Sequence, residues 1–189
     1  MPKKVIVLFA EGFEEVEAIM PIDYLRRAGV EVTIAAIGTE KIVRGSHGIG
    51  IEADTTLGAL EQAGRLNAES WDGAFVPGGM PGASNLAACG AIGNFFKEMA
   101  AAGKIAAAMC ASPAVFLAPL GLLEGKKFTC YPGMEKKVSG GTWLEDKVVV
   151  DGSIITSRAP GTAVNFALAL IEKLAGKDAA ENLSKIALL

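Results

Sequence analysis

Residues 105–113, Ile-Ala-Ala-Ala-Met-Cys-Ala-Ser-Pro, decide how this chain is read. Ile105 to Met109 is a short apolar run and reads as a buried strand. Small residues follow at once, and Pro113 belongs to the residue types favoured in the first turn of a helix. A strand passing into a helix through a tight turn is the repeating unit of a parallel α/β sheet. Cys110 stands at that turn, in a nucleophile-elbow pattern.

The flanking sequence repeats the same grammar. Val5 to Phe9 reads as a first buried strand closed by Ala-Glu-Gly. Glu14 to Ala28 carries Val16, Ile19, Met20 and Leu25 at helical spacing, and Gly29 stops that helix. Val30, Val32 and Ile34 alternate with Glu31 and Thr33 as a second strand should, and the glycine-rich stretch from Gly45 to Gly50 sits in a hairpin-like excursion. Leu57 to Ala68 is expected as a helix, Gly73 to Val76 as a buried strand and Ala91 to Ala101 as a helix loaded with Phe95 and Phe96. Pro113 to Leu117 should open the helix after the elbow. Strands are expected at Lys127 to Thr129, Lys147 to Val150 and Ser153 to Thr156, with residues 139–150 forming an inserted hairpin. Helices from Thr162 to Ala175 and from Asp178 to Leu188 end the chain. Alternating strands and helices give a mostly parallel sheet covered on both faces.

Composition sets the outer limits. With 189 residues and 51% hydrophobic composition, residues 1–189 fit one domain, since two would leave two poorly buried cores. The net charge of -3, from 18 basic and 21 acidic residues spread along the chain, provides no basic stripe for nucleic acid. The apolar run behind Met-Pro-Lys-Lys is too short for a membrane span and lacks a cleavage site, so no membrane is expected as a partner. Three cysteines, Cys89, Cys110 and Cys130, suit reduced thiols in a cytoplasm better than a disulfide framework. A lone histidine argues against a histidine-rich metal site, and no metal is expected.

Open parallel sheets present reactive groups beyond the carboxyl ends of their strands. Three turns lie there: Ala10 to Glu17, Pro77-Gly78-Gly79-Met80-Pro81-Gly82, and Ala108 to Pro113. A sulfur at the elbow faces free backbone N–H groups and the positive end of a helix, which lowers a cysteine pKa and favours the thiolate. The competing reading is an inert buried thiol. Gly78 and Gly79 allow backbone N–H groups close to a ligand, as an oxyanion hole requires, although a Gly-Gly pair is also an ordinary tight turn. Neither GxGxxG nor GxxxxGK[ST] occurs at these turns, so no nucleotide cofactor is expected. Glu17 is the candidate acid: beside a thiolate, desolvation and like charge would keep its carboxyl protonated. Glu11, Glu14 and Glu15 read as solvated helix-start carboxylates, and spacing alone does not choose among the four.

Taken together, Glu14-Glu15-Val16-Glu17 with Pro21, Asp23-Tyr-Leu-Arg26-Arg27-Ala-Gly29, Pro77-Gly78-Gly79, Ala107-Ala-Met-Cys110-Ala-Ser-Pro113 and Thr156-Ser-Arg158-Ala-Pro160-Gly161-Thr162 resemble the DJ-1/ThiJ/PfpI superfamily. The likeness is strongest to its parkinsonism-associated branch and the bacterial relatives of that branch. It covers nearly all of the chain. The resemblance implies a single flavodoxin-like three-layer α/β sandwich, akin to class I glutamine amidotransferases. It implies that Cys110 is the reactive cysteine and Glu17 the acid beside it, with Gly78, Gly79 and Ala111 as anion-binding backbone. Tyr131, in Cys130-Tyr131-Pro132, stands where many members carry a histidine, which argues against a papain-like cysteine–histidine pair. Tyr131 could donate to the pocket instead. His47 matches a basic position near the pocket rim and dimer boundary, and reads as a surface or interface residue rather than a catalytic one.

Three functions follow from the resemblance. The first is a cofactor-independent glyoxalase or deglycase, taking small reactive carbonyls such as methylglyoxal or glycated protein. The second is a peroxide-sensing redox protein or chaperone without steady turnover, built on the same residues. The third, a ThiJ-type role in thiamine metabolism, finds no matching thiazole or phosphate site. A homodimer is implied, with Asp23, Arg26 and Arg27 near its axis. Cys89, Cys130, Trp71 and Trp143 receive no functional role.

Overall fold

Lys4–Phe9 forms β1, and its burial alternates between two cores. Val5, Val7 and Phe9 point into one hydrophobic cluster and Ile6 and Leu8 into the other. The chain is described as a computed structural model over residues 1–189. After β1 come α1 (Glu15–Arg27), β2 (Glu31–Ala36), the hairpin β3 (Ile42–Arg44) and β4 (Gly50–Glu52), then β5 (Thr55–Thr56) and α2 (Leu57–Gln62). Next follow β6 (Gly73–Val76), α3 (Gly82–Ala88), α4 (Gly90–Ala101), β7 (Ile105–Met109), β8 (Lys127–Phe128) and β9 (Thr142–Trp143). The chain ends with β10 (Val148–Asp151), β11 (Ile154–Ser157), α5 (Ala163–Ala175) and α6 (Lys177–Ile186).

Seven strands form one sheet in the order β10-β11-β7-β6-β1-β2-β5. Every pair is parallel except β10 with β11. β7 shows why its sequence is apolar throughout: Ile105, Ala107 and Met109 join the cluster under α1 and α5, while Ala106 and Ala108 join the cluster under α4. The result is the expected three-layer α/β sandwich. Phe95 and Phe96 on α4 fill the second core, with Phe96 packing edge-on against Phe116 at 4.9 Å.

Local departures from the sequence reading have local causes. The helix expected to reach Ala68 stops at Gln62, where Gly64 turns the backbone left-handed and Asn67 caps a separate short turn by accepting from the Ser70 N–H. Residues 139–150 do not form a hairpin: β9 pairs parallel with β8, and the hairpin is made by β10 and β11. Pro113–Leu117 forms one widened turn in place of a regular α-helix.

Candidate active site

β7, β6 and β1 are neighbours in the sheet, so the three turns beyond their carboxyl ends lie side by side. Backbone and side-chain bonds tie these turns together. Glu14 N–H donates to the Gly78 carbonyl at 2.9 Å, and the buried Ser112 hydroxyl donates to the Pro77 carbonyl at 2.6 Å. Cys110 itself is pinned from both sides: its N–H donates to Ser157 O at 2.9 Å, and its carbonyl accepts from Tyr131 N–H at 2.8 Å. Its φ of 61° is left-handed, a conformation that costs a non-glycine residue about 1–2 kcal/mol. The bonds on either side hold Cys110 in that strained conformation.

Glu17 projects from the first turn of α1 into this junction and is completely buried. Its Oε2 accepts from Gly78 N–H at 2.8 Å, while Oε1 has no hydrogen-bond partner. The cysteine and the carboxyl meet across Gly78. A Cβ added there would lie 2.5 Å from the Cys110 Cβ and 2.7 Å from Glu17 Oε2. Gly78 therefore does not serve as a free anion donor, contrary to the expectation, because its N–H already belongs to Glu17. Gly79 and Ala111 remain available: their N–H groups donate to no backbone carbonyl and favour negative charge on the sulfur.

The electrostatics of the pair reverse one expectation. Burial raises the Glu17 carboxyl to about 7, opposed by Cys110 and the Gly78 N–H and reinforced by the Glu14 charge. Burial also pushes the Cys110 thiol up, and the Glu17 carboxylate pushes it further, against the pull of the Gly79 and Ala111 N–H groups. The resting thiol is thus not the lowered one that the elbow suggested. Burial is the larger cause and the facing Glu17 carboxyl adds to it, and the Gly79 and Ala111 N–H groups do not overcome the two. Once Glu17 takes a proton, the like charge disappears and only desolvation opposes the two N–H donors. The carboxyl therefore controls the thiolate.

Glu14 and Glu15 are not the solvated carboxylates their position suggested. Glu14 caps α1 by accepting the Glu17 N–H at 2.7 Å on Oε2. Glu15 is wrapped by the loop between β3 and β4: Oε1 accepts from His47 N–H at 2.7 Å and Ile49 N–H at 3.3 Å, and Oε2 lies 2.9 Å from His47 Nδ1. Gly45 must lack a side chain, because a Cβ would collide with the Glu15 carboxyl. Burial pushes Glu15 up, but the bonds from His47 and Ile49 outweigh it and hold the carboxyl below its usual range. Reciprocally, Glu15 raises the His47 imidazole.

His47 thus belongs to Glu15 and not to the Cys110–Glu17 pair. Tyr131 contributes its backbone N–H, while its side chain is half exposed and makes no hydrogen bond. Cys130 is fully buried, and burial raises its thiol to about 11, which suits a packing residue. Sequence reasoning left out Ser112 and took Glu14 and Glu15 for solvated carboxylates. For Ser112 a signal existed: a hydroxyl inside an otherwise apolar turn needs a partner. Glu14, Glu15 and His47 form the one grouping of three side chains able to ligate a metal.

A family model described as the DJ-1/PfpI family matches residues 3–173. The chain belongs to that family. Arabidopsis thaliana "Protein DJ-1 homolog A" is 41% identical over 186 residues, which cover 98% of this chain and 46% of that protein. The chain spans less than half the length of this relative and of its Arabidopsis homolog B. Caenorhabditis elegans "Glutathione-independent glyoxalase DJR-1.2" is 37% identical over 182 residues, covering 95% of this chain and 92% of that one. Among solved structures, oxidised Toxoplasma gondii DJ-1 superposes with a TM-score of 0.92 at 40% identity, covering 98% of each chain. The family match and the sheet order agree on the flavodoxin-like sandwich. No helix is long and apolar enough to cross a membrane.

Proposed function

We propose that this chain is a cofactor-independent glyoxalase that converts small α-oxoaldehydes such as methylglyoxal to hydroxy acids at Cys110. One observation carries the reading: a buried carboxyl with a pKa of about 7 and one free oxygen lies beside a thiol that has two unclaimed N–H donors. Ionised Glu17 takes the thiol proton as sulfur adds to the aldehyde carbon, and the Gly79 and Ala111 N–H groups stabilise the oxyanion. The Glu17 acid returns that proton to the oxyanion, giving a hemithioacetal. Its carboxylate then carries the proton of the former aldehyde carbon to the neighbouring carbonyl carbon through an enediol, while the hydroxyl proton passes to the neighbouring oxygen, leaving a thioester carbonyl at sulfur beside a hydroxyl-bearing carbon. Water hydrolyses the resulting thioester and frees the thiol. The C. elegans relative's name supports the same reading. Cys110 is 9% exposed, which favours a small aldehyde over a protein-bound adduct and sets deglycation second.

The test is lactate production from methylglyoxal by reduced protein without added cofactor, beside Cys110→Ala and Glu17→Ala. Lactate from the wild type alone supports the enzyme. Consumption of methylglyoxal without lactate would mean stoichiometric trapping by the thiol and would sink the proposal.

A peroxide-sensing role is the second reading, favoured by the same free groups. Glu17 Oε1 and the two N–H donors suit the oxygens of a cysteine sulfinate, and the T. gondii relative was solved oxidised. The three unpaired cysteines suit a reducing, cytoplasmic setting. A homodimer also belongs to this proposal. Val16, Ile19 and Ile49 expose apolar surface on and beside α1, next to the Arg26–Asp54 and Asp23–Arg27 ion pairs. Both charge signs beside one apolar face suit a self-complementary, two-fold contact with a second copy. Light scattering on Val16→Glu tests it, with a monomer expected.

A further inference from the structure

Three hydrogen bonds close a ring through the turns beyond β1 and β6. Glu14 N–H donates to the Gly78 carbonyl at 2.9 Å, Gly78 N–H donates to Glu17 Oε2 at 2.8 Å, and Glu17 N–H donates to Glu14 Oε2 at 2.7 Å. We propose that Glu14 is a positioning residue for the reaction of Cys110 and Glu17, acting on Glu17 through this ring and through its own negative charge. The proposal rests on the glyoxalase reading of that pair.

The ring sets where Glu17 can stand. Each of its three residues gives one N–H and accepts one, so moving any bond strains the other two. Glu17 is held at both ends, its backbone by the Glu14 side chain and its carboxyl by Gly78, which itself hangs from the Glu14 N–H. One carboxyl oxygen is thereby committed, and Oε1 is left without a partner in a completely buried residue. A serine would cap the helix as well. Glutamate adds a charge in a place where its side chain is only 11% exposed.

That charge bears on the proton of Glu17. The ionisable side chains facing Glu17 are Cys110 from the β7 turn and Glu14 from its own helix, with no basic group among them. Glu14 therefore opposes ionisation of Glu17, in the same direction as burial. On the far side of Glu14, His47 Nδ1 from the β3–β4 loop stands 4.0 Å from Oε1, but Glu15 Oε2 claims that imidazole at 2.9 Å. The His47 side chain is also 70% exposed, and water screens so open a partner. The Glu14 charge is left largely unbalanced.

Carboxyl NMR of isotope-labelled glutamates, with Glu17→Gln as the blank that assigns the signal, reads the titration of Glu17 without turnover. Glu14→Gln and Glu14→Ser each keep an oxygen for the Glu17 N–H and remove the charge. Each should lower the Glu17 midpoint by at least ~0.3 pH unit, the scale of like charges one helical turn apart. The acid limb of methylglyoxal turnover should move down with it, since the ionised carboxyl starts the reaction. Glu14→Asp keeps both oxygen and charge and should stay near the wild type. Glu14→Ala keeps neither and should lose at least ~10-fold in kcat with KM little changed. A Glu17 midpoint unmoved in both Glu14→Gln and Glu14→Ser would overturn the proposal, as would wild-type kcat in Glu14→Ala. With no lactate from the wild type the glyoxalase reading falls; a lowered midpoint then still upholds the action of Glu14, and an unmoved one still overturns it.

Discussion

Gly78 gives its backbone N–H to Glu17 Oε2, 2.8 Å away, and its missing side chain is the space in which Glu17 and Cys110 meet. Because a methyl group there would stand 2.5 Å from the Cys110 Cβ, Gly78→Ala must separate the pair or shift the β6 turn. Methylglyoxal turnover should fall at least ~10²-fold, the scale lost with a positioned acid–base group. Circular dichroism should still report a folded sheet.

Glu17→Gln separates chemistry from folding through pH. The carboxyl is held at about 7 in the fold against an ordinary 4.5, so the folded chain binds the proton more tightly than the unfolded one. The stability this provides is fully present below about pH 4.5 and is lost as pH rises through 7. Glutamine never ionises. Relative to wild type, Glu17→Gln should therefore gain on the order of 2–3 kcal/mol between pH 4.5 and 8 in urea unfolding. Over the same range it should lose turnover by at least ~10²-fold while Cys110 remains open to iodoacetamide.

The left-handed backbone of Cys110 makes a prediction that runs against ordinary helix and strand preferences. Cys110→Gly should be more stable than Cys110→Ala by about 1 kcal/mol, because only glycine adopts φ of 61° without a Cβ penalty. Thermal unfolding of the two inactive variants side by side checks it. Equal melting temperatures would show that the turn relaxes once the sulfur is gone.

Ser112→Ala leaves the Pro77 carbonyl without the hydroxyl that reaches it at 2.6 Å inside the protein. A cost of about 1–3 kcal/mol is expected in equilibrium unfolding. Turnover should fall too, because that bond joins the β6 turn to the cysteine turn. Ser112→Thr keeps the hydroxyl and should recover part of both losses.

The fold was readable where strands are buried on both faces. β1, β6 and β7 appear in the sequence as unbroken apolar runs, and the structure matches the expected limits of β6 and β7. β8 and β9 were harder, since strands of two residues carry no periodicity and their parallel pairing depends on what the chain does between them. The widened turn at Pro113–Leu117 was hidden for a related reason: proline announces a helix start without fixing its pitch.

At the site, the placing of Cys110 and of Gly78-Gly79 at adjacent turns beyond β7 and β6 was legible from the local pattern, whereas Ala111 came only from the family resemblance. The thiol's pKa was not legible, because its direction depends on a carboxyl 93 residues earlier in the chain that only the folded sheet brings close. Nor was the burial of Glu14 and Glu15. Charges at a helix start are normally left in water, and nothing local in Glu14-Glu15 announces that the loop from Gly45 to Ile49 closes over them.

Three acidic residues at the start of α1 are committed to three chain-distant or turn-specific tasks: Glu14 caps, Glu15 anchors the β3–β4 loop, and Glu17 reaches the sulfur. A helix turns by about 100° per residue, so inserting or deleting a single residue just before Glu14 would misdirect all three at once. The segment should therefore tolerate changes of letter far better than changes of length, and natural indels in this fold should be sought in the outer loops instead.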